Sequence, residues 1–290
     1  MKVDLIDGTY ELFRHHFGLP SAVREQGSRT AATRGVLTSI VAMLEEGATH
    51  VGVATDHVIE SFRNEMWPGY KSSAGMPEDL LAQFPLLEEA LTAAGITVWP
   101  MVEQEADDAL AAAAAIANAD KAVEQVRIHT VDKDLAQCVH DNRVVQVNGR
   151  KKLVLDEAAV REKYGVLPES IPDWLGLVGD SADGYPGLPG WGAKSTAAVL
   201  RRYPHLEDVP KRGERWDIHV SGAKRLAAVL VEHMDEALLF RDLATLRTDA
   251  DVGTVDAMRW RGLTPELPAI CERLNADALL RRYEKVAERV

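Results

Sequence analysis

Four short apolar runs punctuate the first half of the chain, at residues 3–6, 51–54, 96–99 and 126–130. Each is rich in β-branched or aromatic residues and is bounded by polar or turn residues, which predicts buried strands. Between them, residues 35–46, 79–94 and 105–117 repeat apolar positions at three- and four-residue spacing, the period of a helix with one buried face. Strand–helix alternation of this length predicts an α/β fold with a mainly parallel sheet and helices on its faces. The runs 144–147 and 153–155 flank Asn148-Gly149, so a small hairpin is expected within 143–155. From about residue 156 strand signals fade and helical periodicity dominates, with Gly and Pro concentrated in GYPGLPGWG at 184–192. We therefore expect a boundary near 155–170, dividing an α/β domain (1–165) from a smaller helical domain (166–290). Residues 18–34 and 57–78 lack periodicity and read as long loops, which in compact domains usually carry function.

Composition sharpens this picture. The 290 residues are 46% hydrophobic and 27% charged, the balance of an ordinary globular protein. Two cysteines, Cys138 and Cys271, cannot build a disulfide framework. The start MKVDLIDG lacks an apolar signal core, and the longest uncharged apolar run, 109–117, is mostly alanine and far short of a membrane span. A soluble cytoplasmic protein without a membrane partner is expected. The 45 acids outnumber the 33 bases, giving a net charge of −12. That balance argues at first against nucleic acid, whose binders carry a basic footprint.

The placement of the acids changes that reading. The first predicted strand ends at Asp7 and the second at Asp56; the third leads into Glu105-Ala106-Asp107-Asp108, and the fourth into Asp132 and Asp134. Parallel sheets bind ligands at the C-terminal strand ends, so four strands deliver carboxylates to one edge. Repulsion among so many acids calls for bound cations, and oxygen-only ligation points to Mg²⁺ or Mn²⁺. Taken singly, these residues could be helix caps, turn residues or acids complementing a helix dipole; together those readings require four coincidences at one edge. The second domain adds Asp180 and Asp183, spaced to share one face of a helical turn. The glycine-rich PGLPGWGAK that follows, 186–194, leads directly into a helix, where backbone N–H groups can meet a phosphate.

These segments resemble the bacterial 5′-nuclease family, comprising flap endonucleases and the N-terminal 5′–3′ exonuclease domain of DNA polymerase I. The matching stretches are LIDGTYELFR (5–14), Asp56 with SFRNEMWPGYK (61–71), EADDALA (105–111), TVDKDLAQ (130–137) and GLVGDSADGYPGLPGWGAKSTAAVL (176–200), in the family's order. LLFRDLATLRTDADV (238–252) looks similar to its helical end. The resemblance implies a PIN-like domain with a helical arch and a helix–three-turn–helix DNA-binding motif at about 174–202. It implies metal ligands at Asp7, Asp56, Glu105, Asp107, Asp108, Asp132, Asp134, Asp180 and Asp183. Asp7, Asp56, Glu105 and Asp107 would surround a first metal; Asp132, Asp134, Asp180 and Asp183 a second, with Asp108 outside them. It further implies Arg14, Arg63 and Lys71 at the scissile phosphate, and Gly187, Gly190, Gly192 and Lys194 at duplex DNA, with a K⁺ ion at that hairpin. This sequence departs from the family pattern at the uncharged Ser72-Ser73-Ala74-Gly75, at ATDH (54–57), and at Gly184 in place of a common asparagine.

The implied activity is two-metal hydrolysis of DNA at 5′ flaps, nicks or free 5′ ends, as 5′–3′ exonuclease and flap endonuclease, in replication and repair. RNA primers in hybrids would be further substrates. A monomer working beside a separate DNA polymerase is expected, and the alternative is a structure-specific DNA-binding protein of the same fold without catalysis. Removing the nine proposed ligands from 45 acids leaves 36 against 33 bases, a net of −3. Arg201, Arg202, Lys211, Arg212, Arg215, Lys224 and Arg225 thicken the region after the hairpin and would suit a duplex backbone. Tyr10, Phe13 and Trp67 are candidates for stacking on exposed bases.

Overall fold

The computed structural model describes residues 1–20 and 28–289. Strands β1 (Lys2–Asp7), β2 (His50–Asp56), β3 (Thr97–Met101), β4 (Gln125–His129) and β5 (Val144–Asn148) pair in parallel, and β6 (Leu153–Leu155) runs antiparallel to β5. Their order across the sheet is β3-β2-β1-β4-β5-β6. All four predicted strands and the predicted hairpin are present. Side-chain alternation assigns Val3 and Leu5 of β1 to one face and Ile6 to the other.

On one face pack α1 (Gly8–Phe17) and α2 (Ala31–Glu45). The expected helix over 79–94 is broken. After α3 (Arg63–Met66), the chain forms α4 (Glu78–Leu81) and then α5 (Gln83–Ala93). The break places Pro85 in the first turn of α5, where its missing N–H costs nothing. Gln83 Oε1 accepts from the N–H groups of Ala32 and Thr33 at 3.1 and 3.2 Å, serving the open start of α2. The opposite face is covered by the alanine-rich α6 (Ala106–Ala119), whose small side chains lie flush on Val3, Leu5, Val126 and Ile128.

The second lobe holds α7 (Glu157–Tyr164), α8 (Ile171–Val178), α9 (Ala193–Leu200), α10 (Ala223–Glu232) and α11 (Met234–Ala244) around their own core. The chain then returns. From α12 (Leu267–Arg273), its C-cap Leu274 and α13 (Asp277–Ala287), the side chains of Leu267, Ile270, Leu274 and Tyr283 join the core of α1, α2 and α5. The expectation of a helical domain running through residue 290 differs here, because the apolar stripe of this tail is buried against the first lobe. The expected loop at 18–34 ends early, at the start of α2, and residues 21–27 lie outside the described residues. Among the described residues no helix is long and apolar enough to cross a membrane.

Candidate metal centre

The chain steps outward from β1 to β2 and β3, then returns to lay β4 on the other side of β1. The crevice beyond the strand ends at such a reversal is the usual ligand position in open parallel sheets. Asp7 ends β1 and Asp56 ends β2. Glu105 is the N-cap of α6, and Asp132 and Asp134 follow β4.

Backbone geometry aims these carboxylates. Asp7 caps α1: its Oδ1 accepts from the N–H of Tyr10 at 2.7 Å, and its Oδ2 accepts from the Thr130 hydroxyl at 2.8 Å. Asp56 Oδ1 accepts from the N–H of Ala106 at 2.7 Å, tying the end of β2 to the start of α6. Glu105 is held from several sides, by Ser61 Oγ at 2.6 Å, Tyr70 OH at 3.3 Å and Lys71 Nζ at 2.8 Å. The N–H of Asp134 donates to Asp132 Oδ1 at 2.9 Å.

The second lobe completes the cluster. One carboxylate oxygen from each of Asp134, Asp180 and Asp183 lies within 4.8 Å of the other two. Residues 180–184 close as one helical-type turn, the N–H of Gly184 donating to the carbonyl of Asp180 at 2.9 Å, and the N–H of Asp180 and the N–H of Tyr185 each donate to the other residue's carbonyl. Gly179 and Gly184 enter and leave it with φ of +82° and +86°, which confines it to a single turn that carries both acids toward Asp134. Lys71 Nζ bridges the lobes, 2.8 Å from Glu105 Oε2 and 3.2 Å from Asp183 Oδ1; Lys133 Nζ reaches Asp180 Oδ2 at 2.5 Å.

Electrostatics mark the crowding. Burial, reinforced by the charges of Asp56 and Asp132, pushes Asp7 up to about 7. Burial and the nearby Asp132 and Asp180 charges push Asp183 up to about 6 against the pull of Lys71. Asp107 and Asp134 are raised well above the usual carboxylate range, by burial first and then by neighbouring aspartates. Burial also raises Asp56. Glu105 goes the other way, because Lys71, Arg63 and Ser61 together outweigh its desolvation. Asp134 Oδ1 is buried with no hydrogen-bond partner. An all-oxygen set that includes such an orphaned acceptor suits a hard divalent cation, and the residues present fit Mg²⁺ or Mn²⁺.

Three expected members, Asp108, Arg63 and Arg14, are engaged elsewhere. Asp108 is fully buried and forms a two-pronged ion pair with Arg63, both bonds 2.8 Å, while its Oδ2 also accepts from the N–H of Glu105. Arg63 Nε donates to the carbonyl of Leu243 at 2.8 Å. The guanidinium that was expected at a scissile phosphate is thus enclosed as a bolt between α6 and the end of α11, and Asp108 is its counter-ion. Spacing on α6 explains the difference: Asp108 lies one residue beyond Asp107 and faces inward. Arg14 is engaged by Glu11, by His15 Nε2 at 2.8 Å and by Ser39 Oγ at 3.3 Å, and none of its bonds reaches the carboxylate cluster. Lys71 touches two of the clustered acids, Glu105 and Asp183, while Arg63 reaches only Glu105, its Nη1 3.4 Å from Oε1.

Segment 57–78, expected as a long loop, is anchored to both lobes. Trp67 packs edge-on against Phe240 at 5.1 Å and donates from Nε1 to the carbonyl of Gly184 at 3.0 Å, so its ring is a lobe contact. Phe13 packs against Phe17 and Phe84, while half-buried Tyr10 lines a cavity with Arg14 and Arg127. In the glycine hairpin, Gly187 has φ of +68°, and a Cβ there would stand 2.4 Å from the Gly179 backbone nitrogen. Gly190 has φ of +78° and lies beneath the Arg225 guanidinium. Gly192 is the N-cap of α9, with its N–H accepted by Ser195 Oγ at 3.2 Å, and Lys194 is exposed on the first turn.

Sequence reasoning missed Ser61, Tyr70, Thr130 and Lys133. All four lie inside the segments that carried the resemblance. Their polar side chains at strand ends and beside the acids were the available signal.

Residues 2–165 match the family described as 5′-3′ exonuclease, N-terminal resolvase-like domain, and residues 166–266 match the 5′-3′ exonuclease, C-terminal SAM fold. A 5′-3′ exonuclease of Aquifex aeolicus is 29% identical over 97% of this chain and 95% of its own length. That of Buchnera aphidicola is 33% identical over 86% and 82%. DNA polymerase I of Bacillus subtilis is 35% identical over 97% of this chain, which spans 32% of that longer protein. A metal-ion co-crystal structure of the T5 D15 protein superposes with a TM-score of 0.66 at 18% identity, covering 99% of each chain. The catalytic core of Rad2 with DNA substrate gives 0.64 at 15% identity, covering 98% of this chain and 92% of that one. With both of its lobes matched, the chain belongs to the 5′-3′ exonuclease family.

Proposed function

We propose that this chain is a divalent-metal-dependent 5′ nuclease that hydrolyses DNA phosphodiesters at 5′ flaps, nicks and free 5′ ends, with RNA primers in hybrids as further substrates. The observation that carries the reading is the convergence of strand-end carboxylates from the first lobe with Asp180 and Asp183 of the second. Asp7, Asp56, Glu105 and Asp107 would hold one Mg²⁺ or Mn²⁺, and Asp132, Asp134, Asp180 and Asp183 another. Bound divalent cations supply electrostatic stabilisation of the charge that builds on a phosphodiester during hydrolysis. Thr130 and the N–H of Tyr10 fix the Asp7 carboxylate, and the N–H of Ala106 fixes Asp56, so both are aimed before substrate arrives. Lys71, the ammonium already among these acids, is placed to meet a phosphate oxygen.

Gly187, Gly190, Gly192 and Lys194 would bind the duplex backbone through N–H groups and charge, with K⁺ at the hairpin, so recognition depends on DNA structure. We take residues 1–165 as the nuclease part and the helical lobe from residue 166 as the DNA-binding part, with the α12–α13 tail packed on the nuclease part, acting as a cytoplasmic monomer beside a DNA polymerase. The test is a 3′-labelled 5′-flap duplex incubated with the protein in Mn²⁺, Mg²⁺ or EDTA, next to an unstructured single strand. Cleavage at the flap junction with either metal and none in EDTA is expected. Binding of the flap with no cleavage in either metal would overturn the catalytic reading in favour of DNA binding alone.

A further inference from the structure

Lys133 stands between Asp132 and Asp134 on the loop that follows β4. It does not turn to either sequence neighbour. Its Nζ crosses to the second lobe and lies 2.5 Å from Asp180 Oδ2. Asp180 is also one of the three carboxylates whose oxygens gather within 4.8 Å, and another of them, Asp134, has a buried oxygen with no partner. Lys133 contacts Asp180 and Lys71 contacts Asp183, which leaves Asp134 without a cation beside it. A divalent ion, by contrast, takes six or more oxygens at once.

The two lysines of the cleft differ in how they are held. Lys71 is anchored on two acids, Glu105 and Asp183. Lys133 has Asp180 alone, and its side chain is 33% exposed, so a flexible four-carbon stem can carry the ammonium out to water. An ammonium and a divalent cation on the same carboxylate repel each other, so occupation of Asp180 by one disfavours the other.

Resting on the reading of Asp134, Asp180 and Asp183 as metal ligands, we propose that Lys133 is a tethered counter-ion that positions Asp180 across the lobe boundary and competes with the divalent cation for it. Lys133 thereby sets the metal concentration at which the inter-lobe site fills. It is a positioning residue, acting through Asp180. The aspartates on either side of it keep its ammonium near the site after release.

The test uses the full chain without DNA. Mn²⁺ is titrated calorimetrically into wild type, Lys133→Met and Lys133→Gln, and each protein is melted in EDTA. Removing the competitor should lower the Mn²⁺ midpoint about fivefold or more in both variants, and both should melt below wild type in EDTA, where Asp180 has lost its partner. In an Asp180→Asn background, Lys133→Met should leave the midpoint within about twofold, because the two residues act on the same contact. A midpoint unchanged or raised in both lysine variants, with wild type binding Mn²⁺ normally, would overturn the role of Lys133 alone. Absence of any Mn²⁺ binding by wild type would overturn the ligand reading beneath it as well.

Discussion

Asp7→Asn isolates the electrostatic strain of the carboxylate cluster. The substitution keeps an acceptor for the N–H of Tyr10, and the Thr130 hydroxyl can reverse to accept from the new amide, so the helix cap survives. What disappears is one buried charge. The ordinary aspartate value of 3.8 rises to about 7 in the folded protein. At 1.36 kcal/mol per pH unit this corresponds to about 4 kcal/mol, a ceiling because neighbouring carboxylates share the protons. Below about pH 4 the carboxyl is protonated in both folded and unfolded chains, and the two proteins should differ little. Between pH 4 and 7 the unfolded chain releases this proton while the folded chain retains it, so wild-type stability falls as pH rises. Above pH 7 the loss is complete. Asp7→Asn escapes it and should melt higher than wild type at pH 8 in EDTA, by up to roughly 8–16 °C at about 2–4 °C per kcal/mol. Mn²⁺ at a hundredfold over its dissociation constant would return about 2.7 kcal/mol to wild type and less to the variant, narrowing the gap. The assay is thermal melting by circular dichroism from pH 4 to 8, with EDTA and with Mn²⁺. An Asp7→Asn protein that melts at or below wild type at pH 8 in EDTA would refute the argument that these acids repel one another without metal.

Other consequences are equally direct. Arg63→Met leaves Asp108 buried and unpaired, and urea titration should show a loss of about 3–5 kcal/mol; a loss under 1 kcal/mol would mean that the bolt between α6 and α11 is dispensable. Lys71→Ala should slow single-turnover flap cleavage by about a hundredfold or more while flap affinity changes only a few-fold, and a rate within twofold of wild type would remove Lys71 from the site. Gly187→Ala forces a Cβ to within 2.4 Å of the Gly179 backbone nitrogen at a φ of +68°. Its duplex affinity, measured by fluorescence anisotropy, should fall about tenfold or more while Mn²⁺ binding persists, and unaltered affinity would show that the hairpin does not meet DNA.

The legible parts of the molecule were those set by local pattern. Strand runs, the hairpin around Asn148-Gly149, and acids at strand ends all follow from two-residue and helical periods, so the crevice beyond β1, β2 and β4 could be located from the chain alone. Long-range partners could not. Arg63 and Asp108 are 45 residues apart, and nothing in either segment says that they meet in a buried pair. The apolar residues of 57–78 have no period and so give no sign of their partners, yet Arg63, Trp67 and Tyr70 each fasten the segment to other elements. The spacing of Asp180 and Asp183 was legible as one turn, while the positive φ of Gly179 and Gly184 that bounds it was not. The tail helices α12 and α13 carry an apolar stripe in sequence, but which lobe receives it is settled only by packing.

The account stands most directly on the carboxylate cluster, and Asp132→Ala tests it with binding and cleavage read together. The charge of Asp132 raises the carboxyls of Asp7, Asp107, Asp134 and Asp183 alike. Wild type and Asp132→Ala would be mixed with a 3′-labelled 5′-flap duplex in Mn²⁺, with affinity measured in EDTA and cleavage followed in single turnover. The account predicts junction cleavage by wild type, a loss of about a hundredfold or more in the variant, and flap affinity within a few-fold. Cleavage by Asp132→Ala at the wild-type rate would contradict it.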